Sequence, residues 1–301
     1  MYDLGIKNGT VYLNGGFFNC NIYIKNGVIT NITNEDLGCK VEENASGKLV
    51  LPGFIDPHVH FSLGVGSNIS SDDFYTGSIK GVLGGVTTYI DFLDPIKSVE
   101  EIEEAYKNRM KLAEKSVSDY AFHTTIANPK SSPEEIIKAG IEKGITSIKL
   151  FTTYADTDRR TYDKYIYDLL KLSKKYNVRV VIHAENDELV SDDKKVKVKD
   201  HEVSRPVVSE VTEVLKLAEM ARETGGLLYI VHVSCGTTVK RLKECFSKEL
   251  KSKQIILESC PHYYLFNSEI YKGEEGYLYL MTPPLRPEEE RKLLYEQIDF
   301  I

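Results

Sequence analysis

The sequence contains no CxxC pair, no low-complexity segment, no apolar run of membrane-spanning length and no surplus of positive charge. Its five cysteines (Cys20, Cys39, Cys235, Cys245, Cys260) are scattered and odd in number. That pattern argues against a disulfide framework or a cysteine-ligated zinc site and fits a reducing compartment. Lysine and arginine number 38 against 45 aspartates and glutamates, a net charge of -7. Non-specific binding to nucleic acid or an anionic membrane needs a basic footprint, so neither partner is expected. The lysines of Asp193–Lys199 are diluted by acidic neighbours and read as a solvated loop. Residues Met1–Gly9 lack a basic region followed by an apolar core, so no signal peptide is expected and the default location is cytoplasmic.

What is present suits a large α/β core, since 301 residues at 42% hydrophobic content can bury one. Residues 1–50 are short β-like segments broken at Asn8-Gly9, Asn14-Gly15-Gly16 and Asn26-Gly27. Asn-Gly between apolar alternations signals hairpins, which predicts a small antiparallel unit too thin to hold a core alone. From Leu51 apolar runs appear at 51–57, 86–92, 119–127, 145–151, 178–183, 227–233 and 254–259. Amphipathic stretches lie between them, including 99–115, 133–143, 162–176, 207–224 and 237–250. Strand–helix alternation calls for a parallel sheet.

Polar residues at strand ends choose between an open sheet and a barrel. His58 and His60 follow the first run, Lys149 lies in the fourth, His183 ends the fifth and His232 the sixth. A (β/α)8 barrel gathers all strand C-terminal ends at one mouth, whereas an open sheet spreads them along a line. The expected fold is therefore an α/β barrel of the TIM type.

Two histidines flanking Val59 would project to one side of a strand, with Asp56 on the same edge. Neutral imidazole is the commonest metal ligand, but an HxH pair can equally be solvated loop residues. Singly, His183 and His232 suit hydrogen-bonded core histidines, and Lys149 could bury its stem with its head in solvent. Only their joint placement favours a metal site. His123 and His201 read as structural or solvated, His262 as pocket-lining at most. Asp91 reads as a buried hydrogen-bonding support for the metal site.

The series Asp56-Pro-His58-Val-His60, Lys149-Leu-Phe-Thr-Thr-Tyr154, His183-Ala-Glu-Asn186, His232-Val-Ser234, Glu258-Ser-Cys-Pro-His262 and Met281-Thr-Pro-Pro-Leu-Arg286 resembles the cyclic amidohydrolases. Within them it is most similar to the hydantoinase/dihydropyrimidinase group, in order over nearly the whole chain. Ser71–Gly77, Gly84–Phe92, His201–Pro206 and Glu210 also look hydantoinase-like. The resemblance implies two divalent metals, usually zinc. Lys149, carboxylated on its ε-nitrogen, would bridge them, with His58 and His60 on one and His183 and His232 on the other. A hydroxide between the metals would attack the ring carbonyl. Tyr154 would stabilise the oxyanion, and Thr282 would contact the substrate ring where the group commonly has serine. The chain has 19 tyrosines, so only its spacing from Lys149 distinguishes Tyr154.

The implied substrate is a small neutral cyclic imide or ureide, and the implied assembly a homo-oligomer, a tetramer. Dihydroorotases resemble His-x-His-Phe-Arg; here Ser62 stands at the arginine position, removing a carboxylate clamp. Allantoinase activity is the other close alternative, followed by a non-catalytic oligomeric scaffold and a mononuclear deaminase. Seven barrel strands can be counted before a helix over 287–298. The family's eighth strand carries an aspartate that binds the first metal and acts as general base, and no residue here takes that role. The expectation is a partial β-sandwich over 1–50 and a C-terminally incomplete hydrolase barrel over 51–301.

Overall fold

Left-handed Asn-Gly pairs fold the N-terminal segment back on itself in the computed structural model, which describes residues 1–66, 68–191, 193 and 195–301. Asn14 (φ 48°) with Gly15 and Asn26 (φ 53°) with Gly27 join β1 (Tyr2–Leu13), β2 (Gly16–Lys25) and β3 (Val28–Thr33) as antiparallel hairpins. Positive φ at both turn residues is what such hairpins favour. Asn8-Gly9 is not a turn. Asn8 (φ 61°) sits inside continuous β1, where the register shifts between Ile6 and Gly9, and its amide donates to Asn21 Oδ1 at 2.9 Å. An Asn-Gly pair suits a bulge as well as a turn, and here the neighbouring strand satisfies the freed amide. β4 (Cys39–Asn44) and β5 (Leu49–Val50) both run parallel to β1. The sheet is therefore mixed, where local hairpin signals suggested a wholly antiparallel unit.

The strand–helix alternation is realised as follows: β6 (Phe54–Asp56), the ribbon β7 (Gly64–Val65) and β8 (Asn68–Ile69), α1 (Phe74–Leu83), β9 (Val86–Phe92), α2 (Ile102–Ala113), β10 (Asp119–Thr125), α3 (Pro133–Glu142), β11 (Ser147–Phe151), α4 (Asp163–Tyr176), β12 (Arg179–His183), α5 (His201–Ser204), α6 (Val207–Thr224), β13 (Leu228–Ile230), α7 (Gly236–Cys245), α8 (Ser247–Lys251), β14 (Ile255–Leu257), α9 (Pro261–Leu265) and α10 (Glu288–Glu296). Seven strands form one sheet in the order β6, β9, β10, β11, β12, β13, β14, and β10 to β14 pair in parallel. Sequence neighbours are sheet neighbours throughout, as in the TIM-type (β/α) barrel.

Helix boundaries follow local chemistry. Ser132 and Glu135 form a reciprocal capping box with Pro133 in the first turn of α3. The predicted helix over 237–250 is two helices, because Phe246 leaves helical geometry (φ -130°) between α7 and α8. Strand residues Ile148, Leu150, Val180, Ile182, Leu228, Ile230 and Leu257 are buried, together with Leu169 and Leu170 of α4 and Val214 and Leu217 of α6. Each such side chain contributes roughly 1.5–3 kcal/mol by leaving water.

By compactness the chain divides into Met1–Asp56 with Lys80–Thr88, and Pro57–Ile79 with Tyr89–Ile301. Lys194 of the predicted solvated loop lies outside the described residues; Lys195, Lys197 and Lys199 are exposed. Among the described residues, no helix is long and apolar enough to cross a membrane.

Candidate functional site

Strand β6 stops at Asp56, and Pro57, without an amide hydrogen, cannot extend its ladder. His58 and His60 therefore lie in irregular backbone beyond the strand, not on it as the two-residue spacing implied. They converge nonetheless, with Nε2 atoms 3.3 Å apart. Buried polar groups pin the backbone on either side. His123 Nε2 donates to Pro57 O at 2.9 Å while its Nδ1 meets Ser147 Oγ at 2.6 Å. Asp91 Oδ2 accepts from Phe61 N at 3.0 Å, and Arg109 donates to Phe61 O at 2.8 Å. His123 is thus structural, and Asp91 braces the histidine pair through the next residue.

The other candidates come from three further strands. Lys149 lies mid-β11 at 2% exposure, its Nζ 5.4 Å from the Phe92 ring centre and 5.3 Å from that of Phe151. His183 ends β12 opposite Phe151 in register. His232 follows β13 in left-handed backbone (φ 41°), uncommon for a non-glycine residue. The imidazoles form a row, with ring centres 5.1 Å apart for His60–His58, 5.4 Å for His58–His232 and 4.6 Å for His232–His183. Phe92 packs on His58 and His60, and Phe151 on His183. Lys149 is thus bracketed by two rings that contact opposite halves of the row.

Two carboxylates orient the row, and sequence reasoning assigned neither a role. Glu258 Oε1 accepts from His58 Nδ1 at 2.8 Å, while its Oε2 accepts from Tyr229 at 2.9 Å. Glu185 Oε2 accepts from His183 Nε2 at 2.7 Å. Proton placement on those nitrogens leaves the lone pair on His58 Nε2 and His183 Nδ1. The signals were a glutamate two residues after His183 and another just beyond β14.

Burial holds His60, His183 and His232 neutral. His60 falls to about 2 through burial and then the neighbouring His58, His183 to about 4 despite Glu185, and His232 well below its ordinary value. Burial also brings Lys149 from 10.5 to about 7. Burial pushes the Glu185 carboxyl up, but His183 and Arg205 more than offset this and hold it at about 2.

Tyr154 and Thr282, expected at the substrate, meet directly: Tyr154 Oη is 2.8 Å from Thr282 Oγ1 and 3.5 Å from His183 Nε2. Burial, with Glu185 nearby, raises the Tyr154 phenol to about 12, so it remains a proton donor. Asp187 secures this loop by accepting from Thr153 Oγ1 at 3.1 Å and from Arg160 at 3.0 Å. His201 contacts Met281 O at 2.8 Å and His262 packs on Tyr263, so neither joins the row.

Does this donor set suit metal? Two imidazoles bound about 2.0–2.1 Å from one tetrahedral ion sit roughly 3.3–3.4 Å apart. His58 and His60 already stand at 3.3 Å. His232 Nδ1 is buried without a hydrogen-bond partner among the described residues, a cost a ligand would remove. Among the described residues, no three His, Cys, Asp or Glu side chains converge closely enough to hold an ion by themselves. The His58–His60 pair therefore suits a cation only with a further donor.

The chain matches the amidohydrolase family over residues 49–259. It is 31% identical to a D-hydantoinase of Geobacillus stearothermophilus, an alignment spanning 97% of this chain and 64% of that protein. The solved D-hydantoinase (dihydropyrimidinase) of a Thermus species superposes with a TM-score of 0.88 at 30% identity, over 99% of this chain and 67% of that one. The dihydropyrimidinase of Brevibacillus agri superposes at 0.88 and 27% identity, over 98% and 65%. The chain thus spans about two thirds of the length of the proteins it resembles.

Proposed function

Because the chain belongs to the amidohydrolase family, we propose that the histidine row and Lys149 form a two-metal centre that hydrolyses a cyclic amide. The favoured substrate is a neutral imide or ureide of the hydantoin or dihydropyrimidine type, which hydantoinase and dihydropyrimidinase relatives support. His58 and His60 would hold one divalent ion, His183 and His232 the other, with zinc the expected metal. Lys149 supplies the further donor. Its amine, brought to about 7 by burial, would take up carbon dioxide with loss of a proton to give an anionic carbamate, an oxygen donor suited to divalent ions. Bound there, the ions would supply a water activated at neutral pH and polarise the scissile carbonyl.

The protein's own groups orient the proposed ligands and stabilise the reacting carbonyl. The Tyr154 phenol donates to the oxyanion as the carbonyl carbon becomes tetrahedral. Thr282 Oγ1 holds that phenol in place at 2.8 Å and borders the substrate ring. Glu258 and Glu185 keep the His58 and His183 protons on the nitrogens facing away from the ions. A cytoplasmic location and a homotetrameric assembly belong to the same reading.

The observation that carries this reading is the row of four imidazoles from three strand ends beside a lysine at 2% exposure. The test is ring opening of hydantoin, dihydrouracil, allantoin and dihydroorotate by the zinc- or manganese-reconstituted protein. Turnover of hydantoin or dihydrouracil, lost in Lys149→Ala, is expected. Turnover of dihydroorotate alone, or of none, contradicts it.

A further inference from the structure

A buried polar chain runs from α6 to His183. Glu210 accepts from Ser234 N and Cys235 N at 3.1 Å each, and from the Ser234 and Thr238 hydroxyls. Arg286, itself buried, donates through Nε to Ser234 Oγ at 2.8 Å and through Nη1 to the carbonyl of Arg205. Arg205 then grips Glu185 with its fork, Nε lying 3.0 Å and 3.2 Å from the two carboxylate oxygens and Nη2 2.7 Å from Oε2. That Oε2 is the atom accepting from His183 Nε2. The same guanidinium stands over the Tyr154 ring, 5.3 Å from its centre.

We infer that Arg205 is a positioning residue that sets two groups of the site at once. It touches none of the reacting atoms in the proposed reaction. Its planar fork fixes the Glu185 carboxylate in one orientation, so that Oε2 faces His183 Nε2. The imidazole is thereby held with its proton on Nε2 and its lone pair on Nδ1, the nitrogen left for a ligand. The same guanidinium packs over the Tyr154 ring and so limits where the phenol can lie. Charge alone does not suffice: a lysine ammonium is a point charge without a fork and cannot hold both carboxylate oxygens in one plane. The consequence for metal rests on the function proposed above; the consequence for the His183 proton does not.

The experiment reads ring nitrogen-15 shifts of His183 in the metal-free protein near neutral pH, with zinc affinity by chelator competition as second readout. The parent is expected to show Nε2 protonated and Nδ1 bare. Removing Arg205 strands a buried carboxylate and risks unfolding, so the decisive variant is Arg205→Lys, paired with Glu185→Gln. Folded Arg205→Lys is expected to show a mixed His183 tautomer and about 10–100-fold weaker binding of one zinc, the other unchanged. A parent His183 protonated on Nδ1 overturns the inference. So do unchanged ring shifts and zinc affinity in folded Arg205→Lys. Failure of the reconstituted parent to open any cyclic amide refutes the proposed function instead, and leaves this inference supported by altered ring shifts.

Discussion

Replacing Gly77 with alanine tests how tightly the backbone beside His60 is packed. A Cβ there would lie 2.1 Å from Phe61 Cε1, 2.6 Å from Cδ1 and 2.7 Å from Cζ. The Phe61 ring has nowhere to retreat, being wedged edge-on against Phe74 at 5.4 Å and Tyr89 at 5.2 Å. Its backbone is fixed by Asp91 and Arg109. Overpacking by one methyl in such a site costs about 1–3 kcal/mol. Alanine in a helix interior recovers up to ~1 kcal/mol relative to glycine. The clash wins, for a net loss of about 1–2 kcal/mol, roughly 5–30-fold in the folding equilibrium. Urea unfolding followed by circular dichroism measures it. Shrinking the neighbour in Gly77→Ala/Phe61→Leu should restore part of the loss, with a coupling above ~0.5 kcal/mol. A Gly77→Ala protein as stable as its parent refutes the packing argument.

Tyr154→Phe removes the proposed oxyanion donor together with its hydrogen bond to Thr282 and should lower kcat by about 10²–10³-fold with a much smaller change in KM; a kcat within threefold (~3) of the parent counts against that role. Glu210→Gln places an amide among four donors and should cost about 3 kcal/mol in urea unfolding; an unchanged midpoint would show that the buried chain is not a unit. Asp91 is expected to titrate high, because burial outweighs Arg109 and lifts it from 3.8 to about 6. A raised folded value means its stabilising contribution, of the order of 3 kcal/mol, is full below about pH 4 and lost as pH rises through about 6. The stability gap between the parent and Asp91→Asn should therefore narrow from about pH 4 to pH 7, and a constant gap speaks against this.

Most of the barrel was legible because its strands are continuous apolar runs, buried most fully in β11 and β12, and its helices carry apolar stripes and terminal signals such as Ser132-Pro133. Local signals misled where tertiary pairing decides. Asn8-Gly9 is a bulge because the strand beside it satisfies Asn8, and β4 and β5 join β1 in parallel without any turn motif to announce it. The convergence of the four histidines was legible from their positions after apolar runs, although Pro57 carries His58 and His60 off the strand and Lys149 lies inside its own. Glu185, Glu258 and Arg205 were not assigned roles, since a charged residue near a histidine in sequence has many ordinary explanations. Only the fold shows that Glu258, 200 residues away, meets His58.

If four imidazoles and Lys149 hold a pair of divalent ions, zinc stoichiometry by mass spectrometry after reconstitution and desalting will report it. About two zinc ions per chain are expected in the parent, falling to about one or fewer in Lys149→Ala because the bridging donor is gone. A parent that retains no zinc, or a Lys149→Ala variant that retains as much as the parent, contradicts it.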